Sequence, residues 1–131
     1  MEVKRIRTED FYDTMKQWWD GNNEAHVSPS MLPEFTFVCF NDKGTPTYSM
    51  CFYNTDSNLC WLGWQLVNPT VSKEDKKGCF SFLFEEVEKY SRRVGYQVMF
   101  TTSKTPAVVG TLNKRKFVVG DENVNHYIKI L

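Results

Sequence analysis

Apolar side chains recur along this chain with two periods, and the switching between them lays out most of the secondary structure. Val3 to Arg7 mixes apolar with charged residues closely enough to predict a short edge strand. Phe11, Met15, Trp18 and Trp19 then fall at helical spacing. Thr8 stands ready to cap that helix, with Glu9 and Asp10 in the first turn, where the positive helix end favours acid. Gly21-Asn22-Asn23 ends it, and Pro29 and Pro33 keep the segment Glu24 to Pro33 irregular. Phe35 to Phe40, Thr47 to Tyr53 and Cys60 to Val67 read as three strands. The polar links Asn41 to Gly44 and Asn54 to Asn58 are too short for anything but an antiparallel meander.

Helical spacing returns at Phe80, Leu83, Phe84, Val87, Ser91 and Val94, and Gly95 is the natural C-terminal cap. Tyr96 to Thr101 is a strand again, so a strand-helix-strand crossover should set it parallel to Cys60–Val67. Ser103 to Lys116 is expected to be helical, with Pro106 tolerated in the first turn and Val109 and Leu112 facing inward. Phe117 to Val119 and Val124 to Leu131 are expected to close the sheet as an antiparallel pair around Gly120-Asp121-Glu122-Asn123. The pattern predicts one domain over residues 1–131, of mixed α/β class.

Composition narrows the function classes. With 41% hydrophobic residues, including ten Phe, six Tyr and four Trp, the chain can fill one hydrophobic core and is not disordered. A formal net charge of +0 provides no global field to attract nucleic acid or an anionic membrane. Lys114, Arg115 and Lys116 form a basic run with no base-reading motif beside it, so nucleic acid is not an expected partner. No segment approaches the roughly 18 continuous apolar residues of a membrane span, and the opening MEVKRIRTED reads as neither signal peptide nor anchor. Cys39, Cys51, Cys60 and Cys79 lie in or beside apolar segments without C-x-x-C pairing. Buried free thiols of a cytoplasmic protein explain them more simply than a disulfide scaffold, and no metal is expected.

The stretch from Cys60 to Phe84 carries the clearest candidate chemistry: an apolar strand, a Pro-containing link, a turn with Lys73, Lys76, Lys77 and Gly78, then a helix. The first amides of a helix lack internal acceptors, so lysines beside them make a place for an anion such as phosphate. Solvated surface lysines and a turn glycine are the plain alternative for the same residues.

The order of elements, with a lysine turn after the fourth strand, resembles the GNAT superfamily of acetyl-CoA-dependent N-acetyltransferases over nearly the whole chain. In that superfamily the helix after the fourth strand begins with Arg or Gln, two residues, Gly, one residue, then Gly or Ala. Lys73, Lys76 and Gly78 occupy those positions here, so Lys76 stands where a small residue lets the backbone approach the ligand. The resemblance implies a GNAT-like fold, with a central mixed, mostly antiparallel sheet of about six to seven strands flanked by helices. It also implies that the fourth and fifth strands splay apart around the pantetheine arm of acetyl-CoA. Carried over, Leu66 and Val67 would hold the arm, Lys73, Lys76, Lys77 and Gly78 the pyrophosphate, and Ser103 and Thr105 the far wall. The family Tyr that often protonates the departing thiolate has Leu112 in its place here, and Lys116-Phe117 replaces a Gly-Phe pair.

Acetyl transfer to an amine needs the thioester held beside a neutral nitrogen, its carbonyl polarised, and one proton removed. A backbone N–H near Leu66 or Val67 would polarise; Gln65 through ordered water, His126, or Tyr127 would handle the proton. His126 and Tyr127 are adjacent in a predicted strand, so only one of them can face the cleft. The acceptor would be the primary amine of a small molecule or protein. Trp18, Trp19, Trp61 and Trp64 are expected mainly in the core, with Trp61 and Trp64 on opposite faces of a regular strand. The competing readings are a catalytically silent acyl-CoA-binding module and a protein-interaction module of the same fold. Terminal strands and an open sheet edge make a homodimer compatible with the sequence.

Overall fold

The computed structural model describes residues 1–131. Its elements run β1 (Glu2–Arg7), α1 (Thr8–Gly21), a 3₁₀ turn (Pro29–Met31), β2 (Phe35–Phe40), β3 (Pro46–Tyr53), β4 (Leu59–Val67), α2 (Cys79–Arg93), β5 (Val98–Thr101) and α3 (Pro106–Lys114). The strands lie in the order β1-β2-β3-β4-β5. The first three junctions are antiparallel, and the α2 crossover makes β4 and β5 parallel, as its length requires.

Strand alternation splits the interior into two cores, one on each face of the sheet. Phe37, Cys39, Met50, Phe52, Cys60 and Leu62 meet Cys79, Leu83, Phe84 and Val87 of α2. Val38, Cys51 and Leu66 point the other way, onto Phe11, Met15, Trp18 and Trp19 of α1. Burial pushes the Cys51 thiol up to about 11, and burial, reinforced by the neighbouring Cys79, pushes that of Cys39 up to about 12. Both therefore pack as neutral groups. No helix is long and apolar enough to cross a membrane.

The structure corrects two expectations. Thr8 is the first residue of α1 rather than its cap; its Oγ1 lies 2.9 Å from Thr36 Oγ1, which ties the helix start to β2 inside the core. The sheet has five strands rather than six or seven, because the pair Phe117–Val119 and Val124–Leu131 does not form. Phe117 is drawn into the α2 core, 5.9 Å from Phe84 between ring centroids, which removes it from any strand. Residues 118–131 are exposed and share no main-chain hydrogen bond.

All three helices end in the same way. In α1, Glu24 and Asn23 donate to the carbonyls of Trp19 and Asp20; in α2, Tyr96 and Gly95 donate to those of Ser91 and Arg92; in α3, Phe117 and Lys116 donate to those of Leu112 and Asn113. This doubly bonded turn requires a left-handed residue, and Asn23 (φ 56°), Gly95 (φ 99°) and Lys116 (φ 65°) supply it. Asn and Gly suit that conformation, whereas lysine carries a Cβ that opposes it. Lys116→Gly is therefore expected to stabilise the protein by about 0.5–1 kcal/mol in denaturant unfolding, and a lowered midpoint would contradict the reading.

Candidate functional site

The sheet opens where β4 and β5 part company. Their parallel pairing runs from Leu59 with Val98 to Leu62 with Thr101 and stops there, while β4 continues to Val67. Residues 63–67 thus have β3 on one side and no strand on the other, so part of their main chain faces an open wedge.

A bulge produces the divergence. Between Cys51 opposite Gly63 and Ser49 opposite Leu66, β4 spends three residue steps against two on β3. The extra residue lies at Trp64–Gln65, and Trp64 has φ 52°, an uncommon value for a bulky side chain. The bulge also reverses an expectation about the tryptophans. Trp64 Nε1 donates to Tyr53 Oη at 2.7 Å, and Trp61 stacks on the same tyrosine ring at 4.6 Å between centroids. Trp61 and Trp64 consequently lie on one face rather than two. The Tyr53 hydroxyl donates onward to the Met31 carbonyl at 2.7 Å. Burial pushes its pKa up to about 12, against the opposing effect of the Trp64 hydrogen bond, so it stays protonated.

Side chains seal the apex of the wedge. Gln65 Nε2 donates to Thr101 Oγ1 at 2.6 Å and to the Leu62 carbonyl at 3.3 Å, and the Thr101 hydroxyl donates to that same carbonyl at 2.8 Å. Gln65 Oε1 makes no hydrogen bond within the chain and is left as an acceptor. Farther along β4, Leu66 is buried in the α1 core. The Val67 carbonyl accepts from Asn22 Nδ2 at 2.9 Å, which fastens the strand end to the end of α1.

The link from β4 to α2 is held at both ends. Asn68 donates its Nδ2 to the Pro46 carbonyl at 2.8 Å and accepts from both the amide and the hydroxyl of Thr70. Asn41 Nδ2 donates to the Asp75 carbonyl at 3.1 Å, and Lys43 Nζ donates to the Asp75 carboxylate at 2.8 Å. That lysine bond holds the Asp75 carboxyl below its usual range. Gly78 then adopts φ 78°, turning the chain into α2. The amides of Lys76, Lys77 and Cys79 are used inside the turn, bonded to the carbonyls of Ser72, Glu74 and Lys76. Those of Gly78, Phe80 and Ser81 find no acceptor in the chain. Lys73, Lys76 and Lys77 have no carboxylate partner within 4.0 Å, and Glu74 is the exposed acid among them. Three free amides at a helix start beside three unpaired lysines suit a phosphate or pyrophosphate.

The remaining candidates are placed as follows. Ser103 and Thr105 lie on the link from β5 to α3, where the Thr105 amide donates to Ser103 Oγ at 3.1 Å. His126 and Tyr127 belong to the exposed segment after α3 and make no hydrogen bond. His26 pairs with Asp20 at 2.6 Å near the end of α1. No three His, Cys, Asp or Glu side chains converge as a metal group would require. Leu112 packs against the α2 core, where Arg115 Nη2 also docks α3 onto Glu88 at 3.0 Å.

Sequence reasoning missed the bulge, the Thr101 bridge and the Phe80 and Ser81 amides. A glycine inside a strand is a signal for a bulge, and Gly63 stands directly before this one. The Thr101 bridge crosses 36 and 39 residues of sequence and leaves no local trace.

No family model matches the sequence, and no curated protein matches it. Solved structures do. An aminoglycoside acetyltransferase from an uncultured soil metagenomic sample, in complex with sisomicin, superposes with a TM-score of 0.73 at 10% identity, covering 99% of this chain and 96% of that one. The fold is GNAT-like. A GNAT family acetyltransferase from Streptococcus pneumoniae aligns at TM-score 0.59 and 14% identity, over 96% of this chain and 98% of its own. The aminoglycoside N-acetyltransferase AAC(6')-Iy, in complex with CoA, aligns at TM-score 0.58 and 16% identity, over 99% of this chain and 100% of its own. The GNAT-like fold expected from the order of elements is therefore present, with five strands.

Thr101 is the joint of this wedge. Thr101→Val keeps the shape but removes the donor to the Leu62 carbonyl and the acceptor for Gln65, with an expected loss of about 1–2 kcal/mol in denaturant unfolding. An unchanged midpoint would show that water satisfies the apex equally well.

Proposed function

We propose that the protein is an N-acetyltransferase that moves an acetyl group directly from acetyl-CoA to a primary amine of a small molecule or protein. The observations that carry this reading are the side of β4 left without a strand beyond Leu62 and, after the braced link that follows it in the chain, the free amides of Gly78, Phe80 and Ser81 with the unpaired lysines at the start of α2. The β4 main chain around Leu66 and Val67, apart from the Val67 carbonyl that Asn22 already holds, receives the amide-bearing pantetheine arm, and Ser103 and Thr105 stand on the far wall. Lys73, Lys76, Lys77 and Gly78 receive the pyrophosphate.

In the transfer step the amine nitrogen bonds to the thioester carbon, the C–S bond breaks, and the sulfur leaves as thiolate. The thiolate takes up one proton, and the nitrogen gives up one. A β4 main-chain N–H beside the bulge polarises the acetyl oxygen. Gln65 has no basic lone pair at neutral pH, so its free Oε1 would orient a water that carries the proton away. Much of the rate enhancement then comes from holding the reactants together.

A second reading is a silent acyl-CoA-binding module. It is favoured by Leu112 at the position of the usual acid, and by His126 and Tyr127 standing on a segment unattached to the wedge. Titrating acetyl-CoA by calorimetry, followed by an amine panel, separates the two. Binding with product formation is expected. Binding without product across the panel would select the silent module, and no binding to folded protein would overturn both. Lys73→Ala combined with Lys77→Ala is expected to weaken acetyl-CoA binding roughly tenfold or more and to leave unfolding unchanged, since neither side chain has a partner to lose.

A further inference from the structure

On the face of the sheet that carries α1, the surface beside the wedge is aromatic and no helix covers it. Tyr53, Trp61 and Phe100 are direct neighbours across β3, β4 and β5, so their side chains form one row on that face. Met99, one residue before Phe100, faces the other way into the α2 core. α1 packs farther back, on Val38, Cys51 and Leu66, and reaches the row only at its margin, where Tyr53 and Trp64 touch the α1 core. Trp61 and Phe100 belong to neither core, and Phe100 is 50% exposed.

Gly63 carries the row towards the bulge. A Cβ at this position would stand 3.3 Å from Tyr53 Cε2 and 3.4 Å from Trp61 Cζ2. The missing side chain lets the two stacked rings lie over the strand, and the bulge then adds Trp64, bonded to Tyr53. The aromatic floor therefore runs up to residues 64–65, where the wedge opens. Around it the chain supplies no carboxylate: β3, β4, β5 and residues 25–33 contain no Asp or Glu. Asp56 lies in the turn before β4, at the end away from the bulge, and Asp20 is taken by His26. A polycation would find no counter-charge on this floor, whereas a flat apolar body would find rings to stack on.

We propose that this row binds the body of the acceptor, and that the acceptor is a primary amine carrying an aromatic ring on a short carbon chain. The inference rests on the acetyltransferase reading for the place of the nitrogen, which must reach the thioester beside the bulge. A ring stacked over Trp61 at Gly63 is two residue steps from Gln65, about 7 Å along the strand, a span that a chain of two or three carbons covers. Tyr53 flanks the ring on the β3 side and Phe100 on the β5 side. Stacking and apolar contact hold the body and leave the nitrogen at the opening.

The test follows the indole N–H signals by NMR as 2-phenylethylamine is added to the full chain, alone and with CoA. Butylamine, which lacks the ring, and sisomicin, an aminoglycoside polycation, are the comparators. Trp61 Nε1 is buried without an acceptor in the chain, so its signal answers to a ligand brought against the ring. Saturable shifts at Trp61 and Trp64 are expected with 2-phenylethylamine, while Trp18 and Trp19 in the α1 core stay unmoved. Butylamine and sisomicin are expected to bind about tenfold more weakly or worse. Phe100→Ser and, separately, Trp61→Leu are each expected to weaken 2-phenylethylamine about fivefold or more with circular dichroism unchanged, and in acetyl transfer to raise KM more than they lower kcat. Indole shifts without acetylated product, once acetyl-CoA is added, would keep the aromatic site and overturn the acetyltransferase reading. Product formed preferentially with butylamine or sisomicin would keep that reading and overturn this proposal. Shifts that spare Trp61 and Trp64, no binding to folded protein, or indole signals that follow protein concentration rather than amine would overturn it as well.

Discussion

The bulge at Trp64 is the constraint on which the rest of the site depends. A parallel pair with regular strands on both sides would bond along its whole length and leave no opening. One extra residue in β4 shifts the pairing with β3 and re-aims the strand end, so that β5 can follow only as far as Thr101. A tryptophan with φ 52° is costly unless its surroundings hold it. Here the indole is bonded to Tyr53, which in turn is fixed to the Met31 carbonyl, and Gln65 is bonded across the gap to Thr101. The strain is thus met by both neighbouring strands and by the irregular segment before β2.

That bracing explains how a small chain can present an open crevice without losing its core. Two layers of side chains, one on each face, stay packed where the strands part; Leu62 belongs to the α2 side and Leu66, within the wedge, still packs on the α1 side. Gln65 and Thr101 stand at the apex of the crevice. Farther along the chain, the first amides of α2 are left unbonded, as helix starts leave them, while those of Lys76, Lys77 and Cys79 are bonded within the preceding turn. Free amides occur at any helix start; what suits this one to an anion is the three unpaired lysines beside them.

Much of this was legible in the sequence, because the relevant signals are local. The stripes of α1 and α2, the meander of β2 to β4 and the crossover to β5 follow from periodicity and link length, and the lysine turn with Gly78 lies where the chain enters α2. The illegible parts are non-local. The bulge depends on the register between two strands, so the regular alternation that put Trp61 and Trp64 on opposite faces failed at one residue. Val124–Leu131 has strand composition, but composition alone does not fix pairing, and the segment joins no strand. Lys116 concealed a left-handed turn that glycine would have announced.

The central claim is that the wedge and the start of α2 form one acyl-CoA site. Backbone amide shifts, followed by NMR as acetyl-CoA is added, test it most directly. The account predicts saturable shifts at Leu66, Val67, Gly78, Phe80 and Ser81 together, with Gln65 and Thr101 responding at the apex. Saturable shifts confined to another region, such as the cleft between Arg7, Tyr12 and Leu32 at the opposite edge of the sheet, would contradict it, as would no shift in folded protein.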